Sequence, residues 1–385
     1  MPIHACAPAE SEGTDAPRPP WRPAGGGQGP RPSRRGLLGA AGALLGAACA
    51  PRWPSVDLRW TLATPTAAPE AAPTATPEPM GPVLPVPART LGGRLLFVSD
   101  ANIWLVEQGH ARRLTDDRIS RQPSWSRDGQ KIALVKVYTS GSDLWMMDPD
   151  GGNSAELTDF SYREERLQSY AWHPLWLPDG TALLYLSEQG SQDQQLWRLT
   201  LADRRRQRAL APAGDGLGGL DVPKLSPDGR TLAVASFQAG RGPANRSQIW
   251  TWTFPNGPWQ QVTDAPEGAY DPDWSPDGQR LAYVVRRAGR HDVWVAGADG
   301  RGARQVTTAG VCRAPAWSPD GTTVAYLSAQ GGTFDVWLVP VAPPLPPEAP
   351  EPTAEPGVAS GAAGPAQPLT RGGLLDAASG IAWAP

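Results

Sequence analysis

The chain of 385 residues is short of the residue types that most often carry chemistry. It has three cysteines, Cys6, Cys49 and Cys312, with no pair at zinc-like spacing and no disulfide framework. Cys312 reads as an unpaired thiol in a loop. Four histidines leave little material for a metal site, and neither a metal nor a cofactor is expected. The net charge of −3 gives no electrostatic case for nucleic acid, whose binding rests on clustered Lys and Arg. No apolar run reaches the roughly 20 residues of a transmembrane helix. No Gly-x-Ser-x-Gly elbow, His-Glu-x-x-His or Walker pattern occurs. Residues 214–219 formally fit the dinucleotide glycine pattern, but they precede a strand and open no helix. Asp148-Pro149-Asp150-Gly151 begins like a calcium loop, lacks the distal Glu, and reads as a hairpin turn.

What is present is a repeat. Trp274-Ser275-Pro276-Asp277-Gly278 recurs as Trp317-Ser318-Pro319-Asp320-Gly321. Looser copies begin at Trp125, Trp176 and Leu225, and Trp383-Ala384-Pro385 is a cut-off copy. Pro suits the second position of a type I turn, Asp tolerates the third, and Gly takes positive φ at the fourth. The pattern is a hairpin between a strand ending in Trp and an apolar strand such as 281–284. A third piece centres on a second Trp (104, 145, 197, 250, 294, 337). A fourth ends in Leu-Thr or Val-Thr, or Leu210-Ala211 in one unit. Each class has six members.

Short strands with turn residues between them and no helical period argue an all-β repeat. Four antiparallel strands per unit, repeated six times, make a six-bladed β-propeller over 92–385. The first unit lacks piece one, and 381–385 are an orphan piece one. That C-terminal strand is expected to pair with 95–98 and close the ring, removing exposed edges. Eleven of the seventeen Trp fall at two repeat positions and are expected to pack between sheets.

The remainder reads as address. Residues 1–49 form a signal segment: Arg34-Arg35, then an apolar stretch over 37–48 ending in small residues. The paired arginines resemble a twin-arginine export signal, with Leu37 where that family usually has Phe. Leu44-Leu45-Gly46-Ala47-Ala48-Cys49 resembles a lipoprotein box, with Leu45 four residues before the Cys rather than three. It implies lipidation at Cys49; ordinary cleavage nearby is the other reading. Residues 50–91, rich in Pro, Ala and Thr, read as a disordered linker. A second such stretch, 342–367, interrupts the last unit as an expected floppy loop on the turn-bearing face.

On the Trp-Ser-Pro-Asp-Gly copies, the chain from 92 to 385 resembles the TolB-like, WD-type propellers. The resemblance implies an exported bacterial binding or scaffold protein, although propeller domains joined to serine peptidases share the pattern. The reading is a non-catalytic, monomeric module of the cell envelope, on the outer side of the cytoplasmic membrane or in the periplasm. It touches membrane through the N-terminal lipid only, and its partner is an envelope protein or peptide. The alternative is an enzyme, a lyase or hydrolase on sugars or peptides, using the central funnel. His173 and His291 could serve it as bases, but no nucleophile is placed for either.

Loops joining piece four to the next piece one open away from the turns, and such loops commonly carry binding. Counting four residues back from each inner-strand Trp (or Leu225) gives Arg121, Trp172, Asp221, Tyr270, Arg313 and Ser379. This position is not uniform around the ring. With His173 and the loop 162–166, Trp172 and Tyr270 make the most distinctive arc of the candidate binding face. A separate ring before the second Trp, Asn102, Asp143, Gln195, Gln248, Asp292 and Asp335, is explained by local backbone bonding; a cation on its three Asp is the minority reading.

Overall fold

The computed structural model describes residues 91–160, 169–188, 194–210, 218–237, 246–254, 257–343 and 361–384. The signal segment with Arg34, Arg35 and Cys49, the linker as far as residue 90, and the loop 162–166 lie outside the described residues. Among the described residues the fold is all-β: six four-stranded antiparallel sheets in a ring, with no α-helix. Blade two runs Ser120–Trp125, Ile132–Tyr138, Gly141–Met147 and Ala155–Glu156; blades three to six repeat that order.

Blade one closes as expected. Its inner strand is the C-terminal Ala382–Ala384, paired antiparallel with Arg94–Ser99 through Arg94↔Ala384, Leu95↔Trp383 and Leu96↔Ala382. The Trp383 indole also donates to Gly92 O at 2.9 Å.

The turns form as their sequence dictates. The Gly N–H donates to the carbonyl three residues back in all five: Gly129, Gly180, Gly229, Gly278 and Gly321, at 2.8–2.9 Å. All five glycines have φ between 64° and 74°. In four turns the Ser hydroxyl donates to the Asp carboxylate at 2.5–2.6 Å. That hydroxyl also accepts from the backbone N–H five residues on, for example Arg280 N at 2.9 Å. The turn proline of one blade lies against the turn glycine of the next, as Pro178 does at Gly229 and Pro276 at Gly321. Blade two has Arg127 in the proline's place, and nothing lies within 4 Å of a side chain built at Gly180.

Each second strand is apolar on both faces because both are buried, between neighbouring blades. Leu95 and Phe97 pack toward blade six, whereas Leu96 and Val98 pack toward blade two. The inner-strand Trp125, Trp176, Trp274 and Trp317 are buried. Each such ring hides about 150–250 Å², or roughly 4–6 kcal/mol gross. The second Trp set departs from expectation. Only Trp250 is buried, and the other five are half-buried. The outermost strands are too short to cover them, down to two residues at Ala155–Glu156 and Arg304–Gln305. Lys136 caps the Trp145 face at 4.1 Å.

The ring before the second Trp is structural. Asp143, Gln248 and Asp335 accept from the hydroxyls of Thr158, Thr263 and Thr370 at 2.8–3.0 Å. Those threonines in turn accept from the backbone N–H of Leu144, Ile249 and Val336 on the neighbouring third strand of the blade. Cys312 is no loop residue. It begins the inner strand Cys312–Trp317, is fully buried, and contacts the Thr307 hydroxyl at 3.2 Å. Burial pushes its thiol up to about 11. Of the inserted stretch 342–367, residues 344–360 lie outside the described residues, while Ala342 and residues 361–367 are hydrogen-bonded to the blade. Ala342 N donates to Gly361 O, Gly361 N to Gln305 O, and the Arg304 guanidinium to the carbonyls of Ala342 and Pro343.

Candidate functional site: a funnel at the loop face

Five of the six inner strands break their regular pairing at one place. Register slips between Arg121 and Ser124, Trp172 and Leu175, Asp221 and Lys224, Tyr270 and Asp273, and Arg313 and Ala316. At the slip sits a residue with positive φ: Gln122 (48°), His173 (52°), Val222 (42°), Asp271 (51°) and Ala314 (47°), matched by Gly380 (72°) in blade one. For residues with a Cβ this conformation costs roughly 1–2 kcal/mol each. The residue after each of the five is a buried proline: 123, 174, 223, 272 and 315. Proline has no N–H, so the broken ladder orphans no donor there.

The bulges turn one residue per blade into the axial channel. The loop-face mouth is a cavity of about 520 Å³ lined by Gln122, His173, Asp221, Asp271, Arg313 and Phe334, among others. The turn-face mouth, of about 450 Å³, is ringed by the inner tryptophans and turn prolines. Ser124, Lys224, Ile381 and Ala382 line both, which marks the waist. There Lys224 Nζ meets Asp273 Oδ1 at 3.4 Å, and Asp273 Oδ2 accepts from Trp317 N at 2.9 Å. Burial pushes the Asp273 carboxyl up, and Lys224 offsets part of that.

Bulge side chains also tie blades together. Gln122 Oε1 accepts from His173 N at 2.8 Å, and Asp271 Oδ2 from Ala314 N at 3.0 Å. Asp221 Oδ1 accepts from Val222 N at 2.9 Å. The His173 imidazole contacts Gln122 Nε2 at 3.4 Å and lies 3.9 Å from Asp221 Oδ1. Burial, and then Lys224, push it down to about 4, so it is neutral near pH 7. Burial and the neighbouring Asp271 push the Asp221 carboxyl up, against a smaller pull from Arg313. Arg313 is half-buried, and no ion pair holds it among the described residues. Also among the described residues, no group of three or more His, Cys, Asp or Glu is placed to hold a metal ion.

Of the sequence-predicted binding residues, His173, Asp221 and Arg313 line this funnel, as does Ser379. Arg121, Trp172 and Tyr270 do not. Arg121 is bound to Asp376 at 2.9 Å. Trp172 stacks on Tyr170 at 5.7 Å and packs against two core clusters, and Tyr270 leans toward His291. Gln122, Asp271, Lys224 and Phe334 were missed. For the first two the available signal was the recurring proline two residues before the Trp or Leu of the next turn.

A ring of six four-stranded sheets around an axial channel defines a β-propeller. Residues 220–343 match the family model described as the TolB beta propeller domain, and the propeller is TolB-like. The chain is 34% identical over 86 residues to the Tol-Pal system protein TolB of Anaeromyxobacter dehalogenans (strain 2CP-C), covering 22% of this chain and 18% of that protein. It is 25% identical over 205 residues to the uncharacterized peptidase YuxL of Bacillus subtilis (strain 168), covering 51% of this chain and 27% of that one. The matched stretches thus span under a third of the length of either relative. Among solved structures, TolB from Acinetobacter baumannii superposes with a TM-score of 0.58 at 19% identity, over 77% of this chain and 67% of that chain.

Proposed function

We propose that this chain is an exported, non-catalytic binding scaffold of the cell envelope that receives a protein or peptide in the loop-face funnel. The observation that carries the reading is the bulge ring. Five backbones with a Cβ take the same strained conformation, yet the side chains presented are Gln, His, Val, Asp and Ala. Strain kept at a channel mouth under a non-uniform set of side chains is the mark of a surface fitted to something else. The likeness to the Tol-Pal system protein TolB supports an envelope location and a protein partner. Arg34, Arg35 and Cys49 supply an export signal and a lipid anchor in this proposal. Residues 50–91 are the spacer and 92–385 the monomeric binding domain, with neither cofactor nor nucleic acid required.

The His173–Asp221 approach, and the partial likeness to a peptidase, favour the enzyme alternative most directly. A general base works best with its pKa near the working pH, and an imidazole held at about 4 is a weak one. Binding is therefore the better account of the funnel.

The test is a photoreactive residue placed at Ala378 on the funnel rim or at Thr322 on the turn face, with irradiation in the native cell. Capture of one envelope protein from position 378 and not from 322 is expected. Equal capture from both, or capture from 322 alone, would overturn the assignment.

A further inference from the structure

The funnel has a sign. Lys224 is matched by Asp273 at the waist. Arg313 can balance only one of the two carboxylates above it, Asp221 and Asp271, and His173 carries no charge near neutrality. One negative charge is left over. One oxygen of each carboxylate is already used, since Asp221 Oδ1 takes Val222 N and Asp271 Oδ2 takes Ala314 N. Among the described residues, Asp221 Oδ2 and Asp271 Oδ1 have no such partner. The Asp221 side chain is 66% exposed, and its nearest basic group is the neutral His173.

The rest of the lining differs in kind. Ala314, Pro315, Ala377, Ala378 and Gly380, with the Phe334 ring, make a wall of small or apolar groups. Such a wall leaves room for an aliphatic stem beside the carboxylates, the arrangement in which Lys and Arg bury their methylenes and keep the charged head in a polar setting.

We propose that the funnel takes one basic side chain, lysine or arginine, from an extended partner segment, its cation between Asp221 and Asp271 and its stem against Phe334 and Ala378. This names the partner chemistry of the proposed binding function and rests on that reading. An acidic side chain would meet two carboxylates, and an apolar one would leave the extra charge unpaired in a partly closed cavity, which is costly.

The probe is a set of seven-residue peptide pools, random except for a central Lys, Arg, Gln, Leu or Glu, titrated against the mature protein. Binding is followed by the NMR signals of the His173 ring. The Lys and Arg pools are expected to bind about tenfold or more tightly than the others, a gap of about 1.4 kcal/mol. Asp221→Asn with Asp271→Asn should erase the gap, whereas Arg313→Gln should keep or widen it. Equal binding of all pools, preference for Glu, binding of no pool, or a gap that survives the double Asn variant would overturn the proposal. Equal pool binding leaves the scaffold reading standing; that reading falls instead if crosslinking from position 378 captures nothing.

Discussion

The two mouths of the channel are built on the same six inner strands and obey opposite rules. At the turn face the residues are nearly uniform, and each has a local task. Ser bridges Asp and backbone, Gly takes positive φ, and Pro covers the next blade's turn. At the loop face the backbone is uniform and the residues are not. Gln, His, Val, Asp and Ala all sit in a conformation that favours glycine. One mouth minimises strain and the other retains it. Uniform side chains on a repeated backbone therefore mark what holds the ring together. Varied side chains on a repeated strain mark what the ring presents.

The comparison breaks first if the ring's closure is not a turn-face property. Deleting residues 381–385 removes the strand paired to Arg94–Ser99 and uncovers Leu95 and Leu96. Losing several kcal/mol of burial should lower the melting temperature by about 10 °C or more and promote association through the freed edge. A truncated protein that melts like the full one and stays monomeric would mean that the seal lies elsewhere.

Acid sharpens the contrast, because the carboxylates of the turns and the carboxylates that line the channel, Asp221 and Asp273, shift in opposite directions. The hydroxyl of Ser126 and then Gln130 N hold Asp128 below the ordinary carboxylate range, and the hydroxyl of Ser226 and then Arg230 N do the same for Asp228. At Asp277 and Asp320 burial pushes upward, but the hydrogen bonds outweigh it. A depressed folded pKa contributes stability that is present above the unfolded value of about 3.9 and is lost as pH falls through the folded one. Burial raises Asp273, so ionising it costs stability that returns as pH falls, while Asp221, raised by its partly enclosed place and by Asp271 but open to solvent, adds little. Melting temperature should hold from neutrality to about pH 5 and drop below about pH 4. Replacing Ser126 and Ser226 with Ala should flatten the drop, and Asp221→Asn should not. Calorimetry across that range decides it.

Much of the turn face was legible in the sequence. The Trp-Ser-Pro-Asp-Gly copies gave the hairpins, and the orphan 381–385 gave its partner strand, because each turn is determined by residues within five positions of one another. The polar ring from Asn102 to Asp335 was also readable as local bonding, though its threonine partners were not. The funnel was readable only in part. Counting back from the Trp assumes a regular strand in which alternate residues share a face. The bulge adds a residue and slips that alternation, so the count reached Trp172 and Tyr270, which pack outside the funnel, and passed over Gln122 and Asp271. No shared propensity unites Gln, His, Val, Asp and Ala, so the left-handed position had no residue signature of its own. The proline that follows it in five blades was the trace left in the sequence.

The central claim is that the turn face holds the ring and the loop face binds. It is tested most directly by measuring melting and partner capture side by side on two variants. Ser275→Ala with Ser318→Ala removes two hydroxyls that each bridge a carboxylate and a backbone N–H, at about 1 kcal/mol apiece. Asp221→Asn with Asp271→Asn alters only the funnel charge and keeps the side-chain oxygens that accept from Val222 and Ala314. The first variant should melt about 4–8 °C lower and capture the partner as the parent does; the second should melt within a degree or so of the parent and lose most of its capture. Capture lost in the serine variant and kept in the aspartate variant would contradict the claim.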